Sequence, residues 1–229
     1  LEFRRVLFRS IVVMNANAVG KHNIAANATV ENSMALQYVG QSDYDTGYKA
    51  GERLIEAGVV KGWCLVHANF DTLLNRCRGM EDAFKRRKQL QKEQANNNEE
   101  EEKVQFMEVI SVPASGNDDH GISLYKTIVK SVINGGTHDE DPDGNDEWSG
   151  YGILSTGEIQ IPSLLSLLKD HSKLLVGTFD TVDGYYDPRD DDNGSSSIKD
   201  RFLFGIDQNP YAQGYISVAE LIWKITTFT

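Results

Sequence analysis

The sequence predicts a doubly wound α/β fold, a parallel sheet with helices on both faces. Three observations predict it. Short apolar runs recur along the chain, as in strands buried on both sides; stretches with apolar residues at helical spacing stand between them; and the two kinds alternate. Parallel neighbours need a crossover connection, so this alternation is what a wound parallel sheet requires.

The elements follow in order. Ile11 to Met14 is all apolar and reads as a buried strand. Asp45 to Ala57 reads as a helix with Tyr48, Leu54 and Ile55 on one stripe, Ser42 or Asp43 as its cap and Gly58 as its end. Trp63 to His67 is strand-like. Thr72 to Arg87 is helical, with Leu73, Leu74, Cys77, Met80, Ala83 and Phe84 inward. Val104 to Val112 alternates apolar and polar residues and is closed by Pro113, as a strand is. Ile122 to Ile133 repeats apolar residues at helical spacing. Tyr151 to Leu154 is a strand, Pro162 to Lys169 a helix with proline in its first turn, Leu174 to Thr178 a strand, Phe202 to Ile206 a strand and Ala212 to Trp223 a helix.

Three stretches interrupt the alternation: residues 88–103, rich in Gln, Asn and Glu; 135–150, with six acids and no Lys or Arg; and 183–200, with six acids against two bases. Their composition favours solvated, irregular insertions. The 229 residues carry a net charge of −11, yet these stretches together hold −12 and the first ten residues +2, so the remainder is nearly neutral. Acidity is therefore a property of the insertions. Without a basic patch the segment is not expected to contact nucleic acid. The first ten residues, Leu1 to Ser10, resemble a restriction-site scar and adaptor-derived translation and are set aside from the fold. The native amino terminus, with any targeting signal, is expected to be absent. No apolar run approaches the ~20 residues of a membrane span.

Chemical motifs are scarce. There is no Gly-x-Ser-x-Gly, no Gly-Lys-Ser/Thr phosphate loop and no Gly-x-Gly-x-x-Gly, so no enzyme is expected. The five histidines show no metal spacing, and no cofactor or metal is implied. Asp139 to Asn145 resembles the start of an EF-hand loop, but its twelfth position is Gly150 and Pro142 intrudes; a solvated acidic insertion is the better reading. Cys64, in a strand, and Cys77, on an apolar helix face, read as plain core thiols, with a Cys64–Cys77 bridge as the second reading.

The stronger signal is a set of polar residues at strand ends. Asn15, His67, Thr156, Asp180 beside Phe179, and Asp207 with Gln208 each follow an expected strand, and Arg76 lies near the start of the helix after Trp63 to His67. In a parallel sheet the carboxyl ends share one edge, where ligands of such folds bind. Carboxylates, amides, a guanidinium fork and an aromatic face suit a polyhydroxylated small molecule.

These residues sit in four motifs: Tyr38-Val39-Gly40-Gln41-Ser42-Asp43 continuing through Tyr48 to Gly51; Arg76-Cys77-Arg78-Gly79 with Phe84; Val176-Gly177-Thr178-Phe179-Asp180; and Ile206-Asp207-Gln208-Asn209-Pro210 continuing to Tyr215. Together, and in this order, they resemble the type 1 periplasmic binding proteins, in particular the sugar-binding components of ABC transporters. The resemblance implies two α/β lobes joined by a hinge, with a sugar held between them. It implies that Arg76 donates to ligand hydroxyls, that Asp180 binds hydroxyls while Phe179 covers the ring, and that Gln208 supplies an amide. It further implies that Asn15, with Asn17 as a competing register, serves the first lobe, and it sets Thr156 near a position where the family often has Asn; Asp207 and His67, from their strand ends, and Ser42 are expected to complete the ligand contacts.

On this resemblance residues 11–42 are a first-lobe fragment and hinge, 43–209 a nearly complete second lobe, and 210–229 a helix returning to a mostly missing first lobe. Half a binding site and weak affinity are then expected. The implied partners are a sugar ligand and a membrane transporter or receptor, and the implied address is periplasmic or extracellular. The sequons Asn27-Ala28-Thr29 and Asn193-Gly194-Ser195 suit such an address. The alternative is the effector-sensing domain of a LacI-type transcription regulator.

Overall fold

The computed structural model describes residues 11–14, 35–39, 41–94, 104–112, 119–133, 148–171, 173–180 and 201–227. The chain divides into two compact units, one of residues 1–42 with 208–229 and one of residues 43–207.

In the first unit, strands β1 (Ile11–Met14) and β2 (Ala35–Val39) pair in parallel as a sheet of their own, and helix α5 (Pro210–Thr227) lies against them. Strand β2 is an element that the sequence pattern hid, because Gln37 interrupts its apolar run. The strand Ile11–Met14 therefore does not share a sheet with the other expected strands, which removes it from the common edge on which Asn15 was expected. Asn15 itself lies outside the described residues, as does Asn17.

The second unit contains a five-stranded, all-parallel sheet in the order β4, β3, β5, β6, β7: Gln105–Ser111, Lys61–Val66, Tyr151–Ser155, Leu175–Phe179 and Phe202–Ile206. Helices α1 (Asp43–Glu56) and α2 (Asp71–Gln94) pack on one face; α3 (Asp119–Ile133) and α4 (Ile161–Asp170) pack on the other. Alternate residues of each central strand serve the two cores. Trp63, Leu65, Ile153 and Val176 join Tyr125, Val129, Leu164 and Leu168, whereas Cys64, Val66, Leu154 and Phe179 join Leu54, Met80 and Phe84. Burial on both faces is why these strands read as apolar runs rather than alternations. The edge strand β4 is exposed along most of its length, which is why it alone alternates. Among the described residues no helix is long and apolar enough to cross a membrane.

Two close approaches fix the α1–α2 layer. At Gly47 a Cβ would stand 2.8 Å from Arg76 Cα, and at Gly79 one would stand 2.6 Å from Tyr48 N, so the two helices touch backbone to backbone. Gly51 against Ala83 continues the seam one turn on.

Three expectations are corrected. Cys64 and Cys77 form a disulfide, the second reading rather than the first, with Cα atoms 5.6 Å apart. The short connection after β3 folds α2 straight back over its own strand, so two inward positions 13 residues apart meet. Helix α2 runs through residues 88–94, assigned above to an irregular insertion: Lys88, Gln89, Leu90, Gln91, Lys92 and Glu93 are strong helix formers, Gln89 Nε2 donates to Glu93 Oε1 at 3.0 Å, and Val104 N donates to Gln91 Oε1 at 3.2 Å. Trp148, read as part of the solvated acidic stretch, is 1% exposed and stacks on His171 with centroids 3.8 Å apart. The EF-hand-like residues 139–145 lie outside the described residues, as does the insertion 183–200.

Candidate functional site

The site follows from the winding. From β3 the chain crosses to β4 on one side, then returns past β3 to β5, β6 and β7 on the other. The reversal opens a crevice at the carboxyl ends of β3 and β5, the position at which wound sheets bind ligands. His67 follows β3 there, Thr156 and Gly157 follow β5, and Asp180 and Asp207 follow β6 and β7.

Arg76, in the second turn of α2, ties this edge together. The α1–α2 seam carries the first residue of α1, Asp43, onto it: Arg76 Nε donates to Asp43 Oδ1 at 2.8 Å, with both side chains nearly excluded from solvent. Arg76 Nη1 donates to the carbonyl of Thr156 at 2.7 Å, and the guanidinium lies over the Phe179 ring, 4.1 Å from its centroid. One side chain thus joins α1, α2 and the ends of β5 and β6. Sequence spacing singled out Arg76 but weighed Asp43 only as a cap; the signal available was an acid at the start of one helix and a basic residue in the second turn of the next, each beside the glycine seam.

His67 is half-buried, and its ring rests on Gly157, where a Cβ would lie 3.0 Å from Cε1. Its Nδ1 is buried without a hydrogen-bond partner. Burial, and next the positive charge of Arg76, hold its pKa below the ordinary value of 6.5. The ring is therefore a neutral imidazole with an unanswered nitrogen at the crevice.

Asp180 has φ of +74°, a left-handed conformation that Asp and Asn tolerate better than most residues. Its amide donates to Ile206 O at 2.9 Å and its carbonyl accepts from Thr178 Oγ1 at 2.9 Å, so the β6 end is pinned to β7 next to Asp207. Asp207 is exposed and Asp180 half-buried.

Two expected contacts are committed elsewhere. Thr156 is fully buried and its hydroxyl donates to Leu65 O at 2.8 Å, stitching β5 to β3. Phe179 is fully buried too, with its face taken by Arg76. Among the described residues Phe70 is an aromatic with open surface near this edge, 61% exposed on the connection from β3 into α2, which the sequence pattern gave no reason to single out.

Ser42 and Gln208 belong to the first unit. Ser42 is exposed; the Gln208 carbonyl accepts from Gln213 Nε2, and Asn209 Oδ1, at φ +47°, caps α5 by accepting from Ala212 N at 3.1 Å. Among the described residues no cluster of three or more His, Cys, Asp or Glu could hold a metal ion.

No protein-family model matches the chain, and no curated protein matches it in sequence. Solved structures do match. A glucose–galactose binding protein from Geobacillus stearothermophilus is 15% identical with a TM-score of 0.57, over 95% of this chain and 62% of that one. An ABC transporter periplasmic solute binding protein from Actinobacillus succinogenes with bound D-allose is 16% identical with a TM-score of 0.57, over 95% and 63%. The fold is that of a type 1 periplasmic binding protein. The same fold extends to a protein described as a probable maltose operon transcriptional repressor from a Staphylococcus, 14% identical with a TM-score of 0.50, over 82% of this chain and 55% of that one. The chain spans about three fifths of the length of the two sugar-binding proteins.

Proposed function

We propose that the chain is a solute-binding domain that takes a sugar or sugar-like molecule at the carboxyl edge of its five-stranded sheet, in uptake or sensing. The single observation that carries this reading is the Arg76 centre, four elements held by one guanidinium at the switch point of the winding. Solved proteins of the same fold include ones named for sugars, which supports the ligand class.

In this reading the carboxylates of Asp180 and Asp207 accept from ligand hydroxyls and the His67 imidazole exchanges a hydrogen bond with the ligand. Arg76, held in position by Asp43, Thr156 and Phe179, is proposed as a further donor to ligand hydroxyls. Phe70 covers the C–H face of the sugar that Phe179 was expected to cover. Asn15, Ser42 and Gln208 are proposed as ligand contacts of their own unit. The neighbours are binding proteins and no catalytic constellation is invoked. A membrane transporter or receptor as partner and a periplasmic or extracellular address belong to the same reading, and the Cys64–Cys77 disulfide supports that address, since such bonds persist in oxidising compartments.

Isothermal titration with D-glucose, D-galactose and D-allose at millimolar concentration tests the reading. Saturable binding of at least one sugar, weakened tenfold or more by Asp180→Asn, is expected. Absence of binding to all three, or binding indifferent to the substitution, overturns it. A second reading, the effector-binding domain of a transcription repressor, is supported by the likeness to the maltose operon repressor. A helix-turn-helix encoded upstream of this segment would favour it.

A further inference from the structure

We propose that Asp43 sets the charge preference of this edge: by cancelling the Arg76 guanidinium it makes the site accept uncharged sugars and reject anionic ones such as uronic acids. This rests on the sugar-binding reading above. Asp43 lies 2.8 Å from Arg76 Nε, the two side chains are 9% and 5% exposed, and the guanidinium lies over an aromatic ring. In so poorly solvated a place an unbalanced guanidinium would project a positive field onto the crevice.

The crevice lies close to that charge: Arg76 Nη1 donates to the Thr156 carbonyl, beside the Gly157 on which the His67 ring rests. Three other described cations of α1 and α2 are engaged elsewhere. Arg53 lies over Phe204, Arg78 donates to Asn75 at the surface, and Lys85 pairs with Glu81 and Asp82. Lys61 and Arg201 stand at the opposite, amino-terminal edge of the sheet, the former against Tyr151 and the latter on the carbonyls of Leu168 and His171. Arg76 is thus the buried cation of the carboxyl edge among the described residues, and Asp43 is a buried carboxylate paired with it.

Asp43→Asn keeps the shape and leaves an oxygen for Nε–H, but removes the negative charge. Titrating D-galactose and D-galacturonate into wild type and variant reads the ratio of the two affinities. A shift of about tenfold or more toward the uronate is expected for one unit of charge within this distance. A merely structural role would weaken both sugars alike, and an unchanged ratio overturns the proposal.

Arg76→Gln, which uncovers the Asp43 charge instead, moves the ratio the other way, and this variant decides the matter if Asp43→Asn does not fold. A second readout needs no sugar. The NMR titration midpoint of His67 falls in Asp43→Asn, and a midpoint that stays in place contradicts the electrostatic role. Should neither sugar bind wild type, the sugar reading fails while the His67 measurement still judges Asp43.

Discussion

Replacing Gly47 by Ala tests the helix contact that assembles the Arg76 centre. Intrinsic propensity favours the change, since alanine inside a helix is worth about 1 kcal/mol over glycine. The structure predicts the opposite sign. The new methyl would lie 2.7 Å from the carbonyl carbon and 2.8 Å from the Cα of Arg76, and closer still to its carbonyl oxygen. That is about 1 Å short of the ~3.5–4.0 Å at which carbon atoms pack. Because the obstacle is backbone, no rotamer change relieves it, and α1 must lift from α2.

Overpacking of this kind costs about 1–3 kcal/mol, and loosening the Asp43–Arg76 pair adds part of the about 3–5 kcal/mol that breaking a buried pair costs. Net of propensity, a loss of about 2–4 kcal/mol is expected, or roughly 5–12 °C in Tm for a chain of this size. Thermal unfolding followed by far-ultraviolet circular dichroism measures it, with the exposed Lys49→Ala on the same helix as a control that stays near wild type. A Gly47→Ala protein as stable as wild type, or more so, would refute the seam and with it the reason that Asp43 meets Arg76.

Further outcomes follow from the same geometry. Reducing the Cys64–Cys77 bridge, or replacing both cysteines by serine, lowers stability by about 3 kcal/mol through the loop it closes, measured by urea unfolding; an unchanged midpoint would contradict a formed bond. Asp180→Gly relieves a left-handed backbone and raises stability by about 1 kcal/mol while weakening sugar binding, a pairing that separates strain from function; lower stability in this variant would remove the strain argument. His67 is depressed in the folded state, so the unfolded chain binds its proton first: stability falls as pH drops below about 6.5 toward the folded value, and His67→Gln removes that part of the acid dependence in unfolding curves. At Asp170 burial opposes ionisation, but hydrogen bonds from Lys126 and Lys130 outweigh it and hold the carboxyl below its ordinary value. Its clamp between α3 and α4 is present above that ordinary value and lost as pH falls through the lower folded one, and Asp170→Asn flattens the acid limb.

Much of the second unit was legible because its central strands are buried on both faces: Lys61–Val66, Tyr151–Ser155 and Leu175–Phe179 cannot be surface segments. What escaped were features that depend on a partner distant in sequence. Trp148 reads as solvated among Asp146, Glu147 and Ser149 until His171 is seen to cover it. The cysteines read as thiols because nothing local says that α2 folds directly back over β3. At the site, Arg76, Asp180 and Asp207 were visible as polar residues at strand and helix ends, whereas Asp43 was visible only as a cap and Phe70 not at all. Helix ends advertise caps through local chemistry; an ion pair 33 residues apart does not.

The most direct test of the central claim is a map of where sugar touches the chain. Two-dimensional NMR spectra recorded during a D-galactose titration should show saturable shifts gathered at His67, Phe70, Asp180, Asp207 and the Arg76 side chain, the carboxyl edge of the sheet. Shifts gathered around Trp148, His171 and Lys61 at the opposite edge, or none at any concentration, would contradict it.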